Sequence, residues 1–391
     1  MLHFDFNKYV DKYLNNELYR ETINKKENIL KDLESREMTG WYNYHLDNNL
    51  LNDIISTGEH IKKSFDALVV IGIGGSYMGT QALDTMFRNY FNDNKFKLIY
   101  AGWNLSETYL NELLNYISDK NVAINVISKS GTTMEPAIAF EKILKQLKTK
   151  YSEAELTKKI FITTDKEKGI LREEVNKHGY KSFIVPDDIG GRYSVLTPVG
   201  LLPLATIIDI KKLLNGSYEA KKYLDDAYNY AATRYNLFNN KRVVENYCSY
   251  EPNMNYFLEW LKQLFGETEG KDNKGILPTS SIYSRDLHSL GQFVQEGNPI
   301  EFETVIKQED SDIINNLVLD SVCTAHYEHT PSILITIDKL DEYTIGELIY
   351  FFFCSAAISG LLFNINPFDQ PGVQNYKEEV QKNLKELKNE K

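Results

Sequence analysis

Hydroxyl groups and a lysine are concentrated in the stretch Ser128-Lys129-Ser130-Gly131-Thr132-Thr133. The stretch follows the apolar run Val122 to Ile127 and precedes Glu135 to Leu147, a segment of helical character. A loop between a strand and a helix presents unpaired backbone N–H groups and the positive end of the helix dipole, which together favour a bound anion. These residue types predict a phosphate site, although a helix cap at Thr132 or Thr133 fits the same pattern.

Two other loops carry small, polar or cationic residues directly after apolar runs. Gly72-Ile73-Gly74-Gly75-Ser76 follows Leu68 to Ile71, and Gly190-Gly191-Arg192-Tyr193-Ser194 follows Phe183 to Val185. In open parallel sheets, ligands bind beyond the carboxyl ends of the strands. We therefore expect the three loops to meet at one edge of a sheet, around an anionic substrate.

The elements that must position these loops are apolar, strand-like runs that alternate with helix-length segments. Helix-length segments separate five apolar runs, which are Leu68 to Ile71, Lys97 to Ala101, Val122 to Ile127, Ile160 to Thr163 and Phe183 to Val185. This alternation predicts a five-stranded, parallel, doubly wound sheet. A second α/β region has strand candidates at Val243 to Tyr247, Phe302 to Ile306 and Ile333 to Ile337, and a helix at Asn253 to Phe265.

We divide the chain into four parts on this basis. Residues 1–60 form a helical lead-in, and residues 61–198 form a first α/β domain with the phosphate-binding loops. Residues 199–240 form a helical connector, and residues 241–391 form a second α/β domain that ends in an apolar helix and a charged one. The fold class is α/β, with a mostly parallel sheet flanked by helices in each domain.

The composition excludes several classes of protein. With 391 residues, 42% of them hydrophobic and 25% charged, the chain has the balance of a globular protein. Its net charge of -11, from 44 basic and 55 acidic residues, disfavours nucleic acid or an anionic membrane as the main partner. An anionic substrate then requires a local cationic pocket.

Compartment signals favour the cytoplasm. The start, Met1 to Asp5, lacks a basic region followed by an apolar one, so we expect no signal peptide. The apolar run Leu348 to Phe363 is short for a membrane span and predicts a buried helix. Cys248, Cys323 and Cys354 are far apart and form no Cys-x-x-Cys pair, which fits a reducing compartment and gives no zinc site.

Glu267 and His288 are candidate acid-base groups. The helix Asn253 to Phe265 should end near Gly266, which places Glu267 at the negative end of the helix dipole. His288 follows Asp286, a possible helix cap, and the first turn of a helix favours a neutral imidazole, which suits proton exchange. Taken alone, a glutamate at a helix end is more often solvated surface, and a single histidine is more often a partly buried structural residue.

Other motifs are weaker. His326-Tyr327-Glu328-His329 offers metal ligands but lacks a third ligand cluster, so we expect no metal site. In Gly72 to Gly79, Tyr77 stands where a dinucleotide fingerprint needs glycine, and Gly266 to Lys271 lacks the spacing of a nucleotide-binding P-loop. Lys377 should lie about two turns into a helix that starts at Pro371, where an ordinary surface lysine is the alternative.

Six motifs in order resemble those of the glucose-6-phosphate isomerase family, in its shorter bacterial form. They are GIGGSYMG, SKSGTTMEP, GGRYSVLTPVG, QLFGETEGK, DLHSLGQFVQEG and NPFDQPGVQNYK. The resemblance covers roughly residues 67 to 300 and 345 to 380. It implies two sugar-isomerase (SIS) domains, which agrees with the α/β pattern.

The resemblance also implies a role for each matching residue. Glu267 matches the base that moves a proton between C1 and C2, Arg192 matches the cation beside the enediolate, and His288 and Lys377 match the groups that open and close the sugar ring. The residues that match the sugar-phosphate site are Gly75, Ser76, Ser128, Lys129, Ser130, Thr133, Gly191, Gln263 and Gln370. No metal or other cofactor is implied.

The activity implied is the interconversion of glucose 6-phosphate and fructose 6-phosphate through a cis-enediol, in glycolysis and gluconeogenesis. The family further implies a cytoplasmic homodimer in which the partner subunit donates His288. A non-catalytic sugar-phosphate sensor on the same domains is the alternative, and a nicotinamide dehydrogenase is disfavoured. Two departures stand out: the chain is shortened near residues 305–335 and at the N-terminus, and Thr268 replaces a common Ser.

Overall fold

The computed structural model describes residues 1–91 and 95–389. Its first sheet has five strands, all parallel, in the spatial order β3-β2-β4-β5-β6. The strands are β2 (Ala67–Ile71), β3 (Lys97–Ala101), β4 (Val122–Ile127), β5 (Ile160–Thr164) and β6 (Lys181–Ile184). The predicted doubly wound parallel sheet is confirmed, with strand bounds that differ from the prediction by two residues at most.

Sixteen helices are formed by the described residues. They are α1 (Asn16–Asn24), α2 (Lys26–Ser35), α3 (Asn48–Ser64), α4 (Met78–Phe87), α5 (Glu107–Tyr116), α6 (Met134–Lys148), α7 (Glu153–Leu156), α8 (Ile170–His178), α9 (Pro198–Leu204), α10 (Ile210–Glu219), α11 (Leu224–Asn239), α12 (Asn255–Glu269), α13 (Leu287–Glu296), α14 (Ile313–His326), α15 (Glu342–Leu362) and α16 (Gly372–Asn389).

Helices cover both faces of the first sheet. Every residue of β2, β4 and β5 is buried, as expected of strands whose side chains on both faces enter a core. On one face they pack against α5, α6 and α8, and on the other against α3, α4 and α9. The two layers hold the carboxyl ends of β2, β4 and β6 in fixed positions, and the three functional loops leave the sheet there.

A second sheet forms with strand order β1-β10-β9-β7-β8. The strands are β1 (Leu2–Asp5), β7 (Val244–Ser249), β8 (Leu277–Ile282), β9 (Glu301–Gln308) and β10 (Ser332–Ile337). β1 is antiparallel to β10, and the other pairs are parallel. The lead-in predicted to be helical thus begins with a strand, because β1 completes the edge of a sheet built from distant residues. The division of the chain into four parts stays a prediction.

α15 is the central helix of the molecule. It packs against α10, α11 and α12, and Ile345 to Leu361 are all buried. Among the described residues it is the one helix long and apolar enough to cross a membrane, but 94% of its apolar window is buried inside the protein. The predicted buried helix over Leu348 to Phe363 is therefore confirmed.

The end of α12 lies later in the chain than predicted. The helix continues through Gly266 to Glu269, and Gly270 closes it by donating its N–H to the Gly266 carbonyl at 3.0 Å. Gly266 lies within the helix, and a Cβ there would make only an ordinary van der Waals contact with Pro278 of β8 at 3.5 Å, so this glycine does not end the helix. Glu267 consequently lies inside the last turn.

Candidate active site

The Ser128 to Thr133 loop connects β4 to α6 and is held by its own hydroxyls. The Gly131 N–H donates to Ser128 Oγ at 3.1 Å, and the Thr132 N–H donates to Ser130 Oγ at 3.2 Å. Gly131 has a φ of 73°, which glycine adopts without strain. Thr133 occupies the N-cap position of α6, but its side chain makes no capping hydrogen bond. The helix-cap alternative therefore does not explain the Thr133 hydroxyl.

Lys129 contributes its side chain to a surface ion pair. Its ammonium lies 3.0 Å from Asp187 Oδ1 and donates to the Asp187 carbonyl at 3.3 Å. This arrangement directs the charge toward the loop after β6. The Lys129 ammonium is therefore engaged by Asp187, although Lys129 also lines the cavity at the β4 loop.

Gly75 and Gly191 bring the first and third loops into contact. A Cβ at Gly75 would lie 2.1 Å from the carbonyl oxygen of Gly191, a distance that no side chain can occupy. Ser194 Oγ donates to the same carbonyl at 2.7 Å and fixes its position. The close approach places Arg192, the next residue, at the wall of the cavity.

The Glu267 carboxylate accepts hydrogen bonds from three side chains. Gln263, one helical turn earlier on α12, donates to Oε1 at 3.0 Å. Arg192 donates to Oε2 at 3.3 Å, and Gln370 donates to the same oxygen. The side chain is 30% exposed, so it is fixed in orientation and still accessible from the cavity.

Arg192 is almost completely buried, at 2% exposure. Its Nε donates to Thr268 Oγ1 at 2.9 Å, and its Nη2 donates to the carbonyls of Pro367 and Asp369. With the bond from Nη1 to Glu267, four of the five N–H groups of the guanidinium have acceptors. The fifth N–H, on Nη1, has no acceptor among residues 1–91 and 95–389, and Arg192 lines the cavity.

A cavity of about 530 Å³ joins these groups. A neighbouring cavity of about 570 Å³ lies on the β4 loop and shares Ser76, Ser130 and Thr133 with it. The predicted residues that line one or both cavities are Gly75, Ser76, Ser128, Lys129, Ser130, Thr133, Gly191, Arg192, Gln263, Glu267, Gln370 and Lys377. Residues from five separate parts of the chain therefore converge on one site large enough for a hexose phosphate.

The sequence profile of the family described as phosphoglucose isomerase matches residues 37–298 and 301–391. The chain belongs to the phosphoglucose isomerase family. Proteins of Staphylococcus haemolyticus and Staphylococcus aureus, both named glucose-6-phosphate isomerase, are each 44% identical to it, and the matches cover 88% of this chain and 86% of each relative.

Two solved structures share the fold over nearly the whole chain. A hypothetical protein from Thermus thermophilus has a TM-score of 0.83 at 25% identity, with 98% of this chain and 100% of that one covered. A glucose-6-phosphate isomerase from Chlamydia trachomatis has a TM-score of 0.84 at 17% identity, with 98% and 91% covered. At 17% identity the second likeness concerns the fold alone.

His288 is the one predicted site residue that lines neither cavity. It is the second residue of α13 and its side chain is exposed. Lys377, by contrast, lines the main cavity from the exposed helix α16, together with Val373, Tyr376 and Val380. The single chain therefore brings together every predicted site residue except His288.

Two contacts at the site were not predicted from the sequence. Thr268 contacts Arg192, although it entered the sequence analysis only as a departure from serine. Lys271 lies 3.0 Å from Asp369 Oδ1, and burial, together with the charge of Arg192, lowers its pKa. The signal was available, since Lys271 ends the QLFGETEGK motif and Asp369 precedes Gln370. Their pairing fixes the 366–370 segment against the end of α12.

Proposed function

We propose that this chain is a glucose-6-phosphate isomerase, which interconverts glucose 6-phosphate and fructose 6-phosphate. The observation that carries the proposal is the Glu267 carboxylate, held in a cavity between the hydroxyl-rich β4 loop and the buried Arg192. Family membership and the 44% identical relatives named for this activity support it. Residues of this chain account for each step of the reaction.

The phosphate binds at the β4 loop. Ser76, Ser128, Ser130 and Thr133 supply hydroxyls, and the backbone of Gly75 and Lys129 supplies N–H groups. The loop leads into the N-terminus of α6, whose dipole favours a dianion. Anchoring the phosphate there leaves the carbon chain to extend toward Glu267 in the adjoining cavity.

Glu267 transfers the proton between C1 and C2 of the open-chain sugar. As a base it removes the proton from C2 of the aldose, which gives a cis-enediolate with its negative charge on O1. A proton then passes from O2 to O1, and Glu267 returns its own proton to C1 to give the ketose. One carboxylate serves both steps because the two carbons are adjacent. Acid-base help of this kind contributes about 10² to 10⁴ in rate.

Arg192 stabilises the enediolate. The guanidinium carries a fixed positive charge beside Glu267, and its remaining Nη1 N–H is available to an oxygen of the intermediate. A buried cation that is already oriented needs little reorganisation as negative charge develops. Gln263 and Gln370 keep the carboxylate of Glu267 aligned while it exchanges its proton.

Ring opening and closing are assigned to Lys377 and His288. Lys377 lies in the cavity of its own chain, whereas His288 is exposed outside it. A homodimer in which each subunit places His288 in the cavity of the other accounts for both positions. Exposed apolar side chains on α13, which carries His288, and on α14, which packs against it, support such an interface; they are Leu290, Phe293, Ile313, Ile314 and Leu317.

Subunit complementation tests the dimer. A chain with Glu267→Gln and a chain with His288→Asn should each be inactive, and their co-expression should restore activity. In a mixed dimer one site has both substitutions, while the other combines an intact Glu267 with an intact His288 from the partner chain. If His288 acted in its own chain, every site of the mixed dimer would lack one group and activity would stay absent.

The remaining assignments follow from the same proposal. The activity places the chain in glycolysis and gluconeogenesis, in the cytoplasm. Cys248, Cys323 and Cys354 are buried free thiols, which supports a reducing compartment. Residues 61–198 and 241–391 form the two sugar-isomerase domains.

Conversion of fructose 6-phosphate to glucose 6-phosphate by the purified chain tests the function. The assay contains EDTA, and the Glu267→Gln variant runs beside the parent. Activity in the parent alone is the expected result. Tight phosphosugar binding without turnover in the parent would overturn the enzyme proposal in favour of a sugar-phosphate sensor.

A further inference from the structure

Thr268 contacts the Nε end of the buried Arg192 guanidinium. It lies between Glu267 and Glu269 on the last turn of α12 and is 0% exposed. Its Oγ1 accepts the Nε hydrogen bond of Arg192 at 2.9 Å and lies 3.3 Å from the Tyr193 hydroxyl. Thr268 itself does not line the cavity, so it acts on the reaction only through another residue.

The hydrogen bond at Nε fixes the orientation of the guanidinium plane. Nη2 is held by the carbonyls of Pro367 and Asp369, but contacts at one nitrogen leave the planar group free to swing about them. A second anchor, at Nε, fixes the plane. With both anchors in place, Nη1 must face Glu267 and the cavity.

The position of Thr268 Oγ1 is itself fixed by packing. Its methyl group points to α15, where a Cβ added at Gly360 would lie 3.4 Å from Thr268 Cγ2. With the methyl on that side, the hydroxyl faces Arg192. The Tyr193 ring, which bears the second hydroxyl, is fully buried and stacks on Trp41 with centroids 4.9 Å apart.

We propose that Thr268 is a positioning residue for the isomerisation: its hydroxyl holds Nε of Arg192 so that Nη1 meets the enediolate. The inference rests on the proposed function and deepens it at the same site. Without the hydroxyl, the buried Nε–H lacks its acceptor, and the plane of the guanidinium is no longer fixed. Nη1 is then held less accurately beside Glu267 and the intermediate, which slows turnover.

Thr268→Val is the direct test, because valine keeps the shape of threonine and replaces the hydroxyl with a methyl group. The full-length parent and variant are assayed with fructose 6-phosphate. Inhibition is measured with 5-phosphoarabinonohydroxamate, which mimics the planar, anionic enediolate. It is also measured with glucitol 6-phosphate, which carries the phosphate but has no planar or anionic group at C1 and C2. Thermal melts confirm that the variant is folded.

We expect kcat to fall about tenfold to a hundredfold, as for a small displacement of a catalytic group. The inhibition constant of the hydroxamate should rise by a similar factor, because a transition-state mimic loses what the transition state loses. The inhibition constant of glucitol 6-phosphate should change less than about twofold, because this compound makes only the contacts that substrate and transition state share. An unchanged kcat, or equal weakening of both inhibitors, would overturn the inference.

A second pair of variants decides the question if the valine variant does not fold. Thr268→Ser and Thr268→Ala both lack the methyl group and differ only in the hydroxyl. Serine should retain most of the parent kcat, and alanine should lose it as valine does; equal loss in both would assign Thr268 a packing role alone. An inactive parent that binds glucitol 6-phosphate would instead refute the proposed function, whereas an active parent with an equally active Thr268→Val variant refutes this inference only.

Discussion

Two glutamates on the same turn of α12, Glu267 and Glu269, each pair with an arginine, yet their surroundings are opposite. Glu269 is 0% exposed and accepts hydrogen bonds from Nη1 and Nη2 of Arg234, itself 0% exposed. Glu267 is 30% exposed and accepts one bond, at 3.3 Å, from Arg192. The first pair is sealed in the core, and the second opens onto the cavity.

Every group of the Arg234 cluster has a protein partner. Arg234 also donates to Glu245 at 2.7 Å and to Ser359 at 2.6 Å. Glu245 in turn accepts from the hydroxyls of Tyr230, Tyr247 and Thr304. Buried charges are tolerated when they are paired and hydrogen-bonded to this degree. The cluster joins α11, β7, α12 and α15 and so fixes the end of the helix that carries Glu267.

The pair at the cavity keeps one N–H of Arg192 and a third of the Glu267 side chain available. The difference teaches that the same residue types serve structure where their hydrogen bonds are saturated, and serve chemistry where one or two are left open. Glu269 cannot exchange a proton with a substrate that it never meets. In the proposed reaction Glu267 exchanges a proton from the cavity wall. It is available for this because the Arg234 cluster, and not Glu267, fixes the end of the helix.

Glu267→Gln should have the largest effect on activity. The amide cannot accept the C2 proton, so kcat should fall by about 10⁴, the upper range for acid-base catalysis. Phosphosugar binding and the melting temperature should stay close to those of the parent, because the cavity pair contributes little to stability. Steady-state kinetics, isothermal titration and thermal melts check these outcomes. Retained turnover would remove Glu267 as the base.

Arg192→Ala should lower kcat by about 10² to 10³, the range for loss of one oxyanion-stabilising donor. KM should change less than kcat, since the guanidinium interacts with the intermediate more than with the bound substrate. Arg192→Lys is the matched control, because lysine keeps the positive charge but lacks the planar guanidinium. Its kcat should lie between those of the parent and of Arg192→Ala. A change in KM alone would show that Arg192 binds substrate and does not stabilise the enediolate.

Arg234→Met should reduce stability instead of chemistry. Removing the arginine leaves Glu245 and Glu269 buried without their cation, which typically costs about 3–5 kcal/mol of unfolding free energy. The surface pair Lys262 and Glu259 gives the control, since Lys262→Met should cost about 0–1 kcal/mol. Urea unfolding measures both. Equal midpoints for the two variants would contradict the structural role of the cluster.

Glu301 shows what happens to a carboxylate without such an arginine. Burial, reinforced by the charge of Glu303, raises its pKa from 4.5 to about 7. Its buried Oε1 has no hydrogen-bond partner among residues 1–91 and 95–389. The folded protein then binds the proton more tightly than the unfolded chain, so stability falls as the pH rises from about 4.5 through 7.

Glu301→Gln should therefore melt at a higher temperature than the parent at pH 8.5, with a smaller difference at pH 5. This is the smallest of the expected effects. Glu309→Gln, at an exposed carboxylate just beyond β9, should show no such trend. Thermal melts across this pH range decide it: a constant difference between Glu301→Gln and the parent would mean that Glu301 does not release its proton in this window.

The first sheet could be predicted from the sequence almost to the residue, because buried parallel strands are apolar on both faces and the signal is local. Two strands of the second sheet could not. β8 carries hydroxyls that bond to Glu259 and Asn246 and forms no apolar run. β1 is a four-residue edge strand whose partner, β10, lies more than three hundred residues away in the chain.

The sequence also predicted the residues that line the two cavities, but it did not predict the contacts that orient them. Serines, threonines and glycines after apolar runs signal an anion cradle because helix termini and strand ends are local features. Arg234 lies in a helix interpreted as a connector, and nothing near it in the chain marks its partners. Thr268 attracted notice as a small departure from serine, while its bond to Arg192 spans 76 residues.

The choice between Glu267 and Glu269 shows where sequence information ends. The sequence predicted a helix that ends near Gly266, just before Glu267, whereas the structure extends α12 through Glu269. Helical geometry then puts the two glutamates on opposite faces, about 200° apart. Which face meets the cavity depends on Arg192 and Arg234, which are 75 and 35 residues from their partners. Only the packing of the two sheets around α12 decided that one glutamate would be buried with its arginine and that the other would face the cavity.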